Sequence, residues 1–245
     1  MSAKENHFAG ESARRYDTSH AGMFTPEEVD PVVGLLTELA GEGRALELGV
    51  GTGRIALPLS AAGVPVHGID LSEDMVAELR TKPGAEQIGA TVGDFATTRV
   101  EGAYSVAFLV FNTINNLTTQ DEQVACFRNA AEHLEPGGRF VVEVGVPPVR
   151  RLGELDDTVL FSTGPTHWGY DVLDTATQSM VSHHITVEGE HGRYRAIPFR
   201  YVWPSELDLM AQLAGLALEH RWADWHRAPF TSRSTAHVSV WRKPA

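Results

Sequence analysis

The sequence predicts an α/β protein: a doubly wound, mostly parallel sheet, a small antiparallel β insertion after its fifth strand, and an antiparallel hairpin at the C-terminus. Three observations carry this expectation. Short apolar runs alternate with helical patterns from residue 45 to 144. Val106-Ala-Phe-Leu-Val-Phe111 is apolar on both faces, as a strand covered by helices on both sides must be. Ala45-Leu-Glu-Leu48 runs directly into Gly49, Gly51 and Gly53, the turn by which a strand hands over to a helix around a ligand.

The elements follow in order. Thr25-Pro-Glu-Glu28 predicts a helix start with a Thr N-cap, Pro at the first helical position and a capping box. Val32, Leu35, Leu36 and Leu39 recur at helical spacing until Gly41. After the first strand a second helix is expected from about Thr52 to Gly63, and Val66–Asp70 reads as the second strand. Ser72 caps the next helix, with two acids in its first turn. The third strand is expected at Ala90–Gly93 and the fourth at Val106–Phe111. A helix from about Gln120 to Leu134 places Val124, Phe127, Ala131 and Leu134 on one face, with Pro136-Gly-Gly138 as its stop before a fifth strand, Phe140–Val144. The pattern then changes. Val172–Leu173, Met180–Val187 and Tyr194–Val202 read as antiparallel strands with a turn at Gly189–Gly192. A helix begins at Pro204, and Ala217–Trp222 with Ala236–Trp241 closes the chain as a hairpin.

Composition bounds the function. At 245 residues and 42% hydrophobic, the chain can bury a substantial core. No segment reaches the roughly 18 unbroken apolar residues of a membrane span, and the charged N-terminus does not read as a signal peptide. The lone Cys126 cannot form an internal disulfide. A soluble, cytoplasmic protein is expected. The net charge of −12 argues against nucleic acid as a partner, because phosphate binding depends on Lys and Arg. That charge is uneven: residues 191–245 hold 8 basic and 4 acidic side chains. A solvated surface is the simplest reading of this asymmetry, and a face for an anionic substrate the sharper one.

Glycines after a strand let backbone N–H groups approach a ligand, and Asp70, seventeen residues after Gly53, suits two ribose hydroxyls. These residues alone give a nucleotide site. Gly51-Thr-Gly53-Arg-Ile-Ala56 also matches the G-x-G-x-x-A form of a dinucleotide fingerprint, so a nicotinamide-dependent oxidoreductase is one alternative. Against it, there is no Tyr-x-x-x-Lys motif and the chain has three lysines.

Glu47-Leu-Gly49-x-Gly51-x-Gly53 resembles motif I of the class I S-adenosylmethionine (SAM) methyltransferases, a Rossmann-like family, and the resemblance extends over residues 44–145. It implies SAM as cofactor. It implies that Glu47 and the glycines line the methionine end, Asp70 holds the ribose, and Leu71 and Met75 pack beside the adenine. Asp94 would accept the adenine amino group and Phe95 would cover the ring. Tyr16-Asp17 is similar to a pair that closes over the cofactor in small-molecule members, and Phe111 joins the cofactor set. The implied units are a helical lid (1–43), a SAM-binding core (44–147), a β insertion shaping the substrate pocket (148–203), and a closing helix and hairpin (204–245).

Phe111-Asn112-Thr113-Ile114 is not the Asn/Asp-Pro-Pro-Tyr run of adenine-directed enzymes. The insertion is similar to that of N-methyltransferases of amino sugars and amino acids. Methyl transfer to N or O of a small metabolite by in-line displacement is therefore expected, with a homodimer as a further expectation. A SAM-binding protein without catalysis is the second alternative, because no general base stands out. An amine needs none, whereas a hydroxyl acceptor needs one, most often His. The candidates are His167, His226 and the lid residue Tyr16. His183 and His184, adjacent on one strand, point to opposite faces. No metal-ligand spacing is present, and no metal is expected.

Overall fold

The structure, a computed structural model, describes residues 6–153 and 157–245; residues 1–5 of the charged N-terminal stretch and 154–156 of the expected insertion lie outside the described residues. The elements are α1 (Glu11–Arg14), α2 (Tyr16–Ser19), α3 (Pro26–Ala40), β1 (Ala45–Leu48), α4 (Ala56–Ala61), β2 (Val66–Asp70), α5 (Glu73–Arg80), β3 (Gly89–Val92) and β4 (Tyr104–Leu109). There follow α6 (Gln120–His133), β5 (Leu134–Gly145), β6 (Thr158–Thr163), β7 (His167–Asp174), β8 (Ser179–Glu188), β9 (His191–Arg200), α7 (Pro204–Leu213), β10 (Ala217–Trp222) and β11 (Ala236–Arg242).

Seven strands form a sheet in the order β10-β11-β5-β4-β1-β2-β3, and β6-β7-β8-β9 form a second, antiparallel sheet. β1 to β5 pair in parallel, whereas β11 runs antiparallel to β5 and β10 antiparallel to β11. Every residue of β1 and β4 is buried, as central strands require. The strand order reverses between β1 and β4, which opens a crevice at their carboxyl ends. One apolar layer centres on Phe127, whose ring meets Phe140 edge-on at 4.9 Å and Trp241 at 5.3 Å. Such aromatic pairs add about 0.5–1.5 kcal/mol each beyond their buried area. The other layer joins Leu36, Ile55, Leu59 and Phe108 across α3, α4 and β4.

Several local expectations are corrected. Thr25 is the N-cap of α3, but its side chain makes no capping bond; the capping box forms instead at Thr119 and Glu122 at the start of α6. α4 starts at Ala56 rather than near Thr52, because the glycine-rich turn uses three positive-φ glycines before the helix can begin. α6 stops at His133, ahead of Pro136, and the extended β5 begins at once with Leu134. β6 was not anticipated: Thr-Val-Leu-Phe-Ser-Thr lacks the polar alternation of an exposed strand, and its pairing partner β7 supplies the order.

One polar junction fixes the second sheet to the first. Arg200, at the end of β9, donates to Glu206 of α7 at 2.7 Å, and Gln123 of α6 donates to the Arg200 carbonyl at 3.1 Å. Gln178 and Gln120 also donate to Glu206, each at 2.8 Å. Burial alone would raise the Glu206 carboxyl, but these bonds bring it below its ordinary value. Removing one partner from such a buried pair typically costs about 3–5 kcal/mol.

Candidate active site

The crevice at the β1–β4 reversal is built from backbone first. Gly51 has φ 52°, and a Cβ placed on it would meet nothing within 4 Å, so its peptide faces open space. Its N–H donates to Asp70 Oδ2 at 2.7 Å, while Asp70 Oδ1 accepts from the Ser72 N–H at 2.8 Å. Asp70 thus ties the glycine turn to the end of β2, and each of its oxygens keeps a further lone pair. At Gly49 (φ 82°) a Cβ would stand 2.5 Å from Thr113 Cγ2, so that glycine allows the turn after β4 to close onto the loop.

Electrostatics distinguish the two carboxyls. Glu47 is 3% exposed, and its Oε2 has no partner. Burial pushes its carboxyl up to about 8; Arg54 and the Ala56 N–H oppose this, and Asp70 adds to it. Burial also raises Asp70, against the two backbone N–H bonds. An orphaned carboxyl oxygen beside open glycine peptides suits a ligand that carries a cationic donor at one end.

An N-terminal segment crosses this crevice. The Asp17 carboxylate accepts the Thr52 hydroxyl at 2.6 Å and pairs with Lys82, which also donates to the Thr52 carbonyl at 2.7 Å. Tyr16 lies over His20, with ring centroids 4.4 Å apart, and meets Phe8 edge-on at 6.4 Å. His20 in turn meets Phe111 edge-on at 6.3 Å, and the Arg54 guanidinium stands 5.4 Å over the Phe111 ring. Desolvation raises the Tyr16 hydroxyl above its ordinary value, which Arg54 partly offsets. The segment also bridges the two sheets: the Gly10 N–H donates to Asp74 at 2.6 Å, Ser72 Oγ to the Phe8 carbonyl at 3.0 Å, and Arg195 of β9 to the His7 carbonyl at 2.8 Å.

The structure gathers Tyr16, Glu47, Gly49, Gly51, Gly53, Asp70 and Phe111 around one crevice. Met75 is buried at the start of α5, while Leu71 is 36% exposed beside it. Phe95 is buried close to Gly49, and Asp94 Oδ1 accepts the Ala96 N–H at 2.9 Å, folding the loop after β3.

The histidines divide. His167 of β7 is half-buried and has both ring nitrogens engaged, Nδ1 with Ser162 Oγ at 2.9 Å and Nε2 with His184 Nδ1 at 3.2 Å. His184 Nε2 continues to Ser182 Oγ at 3.2 Å, and Ser182 bonds to Asp171. Burial, then the neighbouring His167, Arg195 and His20, hold the His184 imidazole down at about 4. His183 takes the opposite face, stacked on Tyr170 at 4.6 Å. His226 is exposed in the loop after β10, where its backbone N–H donates to Asp224 Oδ1 at 2.9 Å and its neighbour Arg227 pairs with Glu38 of α3. Arg54 and His20 are missing from the expected set, and the expectation for His184 extends only to a face opposite that of His183. Arg54 follows the last glycine directly and could have been found there; His184 depends on cross-strand register, which no local pattern shows. Among the described residues no three His, Cys, Asp or Glu side chains come together as a metal-binding group.

Residues 45–138 match the family model described as a methyltransferase domain. The solved CcbJ methyltransferase from Streptomyces caelestis is 40% identical, covering 88% of this chain and 89% of that chain with a TM-score of 0.80. The cypemycin N-terminal methyltransferase from a Streptomyces species is 29% identical over 200 residues, 80% of this chain and 81% of that protein. SAM-bound CalS10, an amino pentose methyltransferase from Micromonospora echinaspora, shares the fold at 19% identity and a TM-score of 0.69, covering 92% of this chain and 95% of that one. These findings remove the dinucleotide alternative and the reading without catalysis. With the glycine turn, its buried acid and a near-complete structural match in agreement, the chain belongs to the class I SAM-dependent methyltransferases, and SAM is its cofactor.

Proposed function

We propose that the chain methylates a nitrogen of a small amine. The observation that carries this reading is the state of the imidazoles on the insertion: His184 is held low by burial, and His167 has both nitrogens engaged. His184 is disfavoured as a proton acceptor and His167 has no free ring nitrogen to turn toward a hydroxyl, and a hydroxyl acceptor would need a base. An amine with a free lone pair needs only to be positioned and kept from water. The names of two relatives, an N-terminal methyltransferase and an amino pentose methyltransferase, support the same class.

When bound, SAM supplies an electrophilic methyl on a sulfonium that leaves as a neutral thioether. In this reading the open oxygen of Glu47 takes the α-ammonium of its methionine end, and Asp70 takes the ribose hydroxyls. Asp94 takes the adenine amino group, with Leu71, Met75 and Phe95 flanking the ring. The peptides of Gly49, Gly51 and Gly53 give the close approach. Tyr16 and Phe111 cover the methyl end, and His167, through His184, borders the acceptor. His226 has no part. The units follow: residues 1–43 as lid, 44–147 as cofactor core, 148–203 as acceptor wall, and 204–245 as closing helix and hairpin.

The test is release of S-adenosylhomocysteine from SAM across a panel of primary and secondary amines and their matched alcohols. Turnover confined to amines is expected. Turnover confined to alcohols would overturn the acceptor class and require a base elsewhere.

A further inference from the structure

The chain leaves β4 through a turn that its own side chains disfavour. Phe111 has φ 54° and Asn112 φ 60°, and the Thr113 N–H closes the turn on the Val110 carbonyl at 3.2 Å. Two successive positive φ values define a type I′ geometry, which Gly, Asn and Asp dominate. A bulky aromatic at the first central position is an outlier that persists only where its surroundings over-determine it.

Here those surroundings lie on the neighbouring strand. The Phe111 N–H donates to Glu143 Oε2 at 2.8 Å, and the Asn112 N–H donates to the Glu143 carbonyl at 3.3 Å. The Asn112 side chain closes the set by accepting the Gly145 N–H at 2.7 Å. One residue of β5 therefore holds both strained peptides of the turn. The consequence is where the Phe111 ring points: between the Arg54 guanidinium and the His20 ring, with Thr113 of the same turn against Gly49. The place of that ring in the crevice is therefore fixed from β5.

We infer that Glu143 is a positioning residue, whose bonds to the strained turn hold the Phe111 ring against the methylsulfonium of the cofactor. This rests on the cofactor placement given under Proposed function. It separates two ligands that differ by one methyl and one charge: a ring set against the sulfonium favours SAM over S-adenosylhomocysteine, whose thioether is neutral.

The experiment is calorimetric titration of the full chain with each of those two ligands, for the wild type, Glu143→Ala, Glu143→Gln, Phe111→Leu and the double variant Glu143→Ala/Phe111→Leu. Glu143→Ala is expected to lose about fivefold more affinity for SAM than for S-adenosylhomocysteine, the scale of a partly desolvated cation–π contact. Glu143→Gln should keep the wild-type ratio, because its amide oxygen still accepts the Phe111 N–H. The double variant should lose no more selectivity than Phe111→Leu alone, since Glu143 acts through that ring. Should Glu143→Ala fail to fold, Glu143→Met, of similar length and without an acceptor, takes its place. Equal losses for both ligands, or additive losses in the double variant, would overturn the inference. A wild type that binds neither ligand would overturn the cofactor placement itself, and this inference with it.

Discussion

The two sheets present different titratable groups to the crevice, acids from one and imidazoles from the other, and burial shifts both for a single reason. At the carboxyl ends of the parallel strands, burial raises Glu47 to about 8 and lifts Asp70. On the antiparallel sheet, burial lowers His184 to about 4. Acids move up and imidazoles down because desolvation disfavours whichever form is charged. Glu47 and His184 therefore both favour their neutral forms where they face the crevice, and a cationic sulfonium entering it meets weakly screened partners. The parallel side offers it carboxyl acceptors, and the antiparallel side faces it with the paired imidazoles of His167 and His184.

The largest effect that would break this comparison lies at Glu47. Its folded value stands above the unfolded one, so its carboxyl takes up more protons in the folded chain. Its contribution is fully present below about 4.5 and is lost as pH rises toward 8. Glu47→Gln should therefore gain stability over the wild type on going from pH 5 to pH 8, by up to about 3–5 kcal/mol. Thermal unfolding at the two pH values measures it; a constant difference would mean that Glu47 is not held neutral. Next is Asp70→Ala, which removes the acceptor for Gly51 and Ser72 and should weaken SAM binding by about 1–3 kcal/mol. Unchanged affinity by calorimetry would dissociate the acid from the cofactor. The smallest effect is at His184, whose folded value lies below its ordinary 6.5. Its contribution is present above 6.5 and is lost as pH falls toward 4, so His184→Gln should flatten acid destabilisation across that window. A denaturant series at pH 4.5 and 7 checks this, and identical pH dependence in variant and wild type would contradict it.

The same two regions differ in how far the sequence reveals them. On the parallel side the signal is local: Glu47, the glycines and Asp70 lie within two dozen residues, and each role follows from a strand end or a turn. On the antiparallel side, His184 faces His167 only because Gly169 pairs with His184 and Thr186 with His167. That register is set by the hairpins, not by the residues near either histidine. Glu143 is hidden for a related reason, since its partners come from the turn after β4. The capping box expected at Thr25 shows the converse: a good local pattern that the fold leaves unused.

The strap of residues 7–20 touches both sheets through fixed-length bonds: Phe8 to Ser72, Asp17 to Thr52, and the His7 carbonyl to Arg195. Those anchors act as a ruler. One residue inserted between Gly10 and Tyr16 would shift the Tyr16 ring out of register with His20 and Phe111 while leaving every strand intact. The exposed hairpin tip at Gly189–Glu190 has no such constraint and can lengthen freely. Tolerance to insertion is therefore lower in this segment than at that tip, although the segment contributes little to either core.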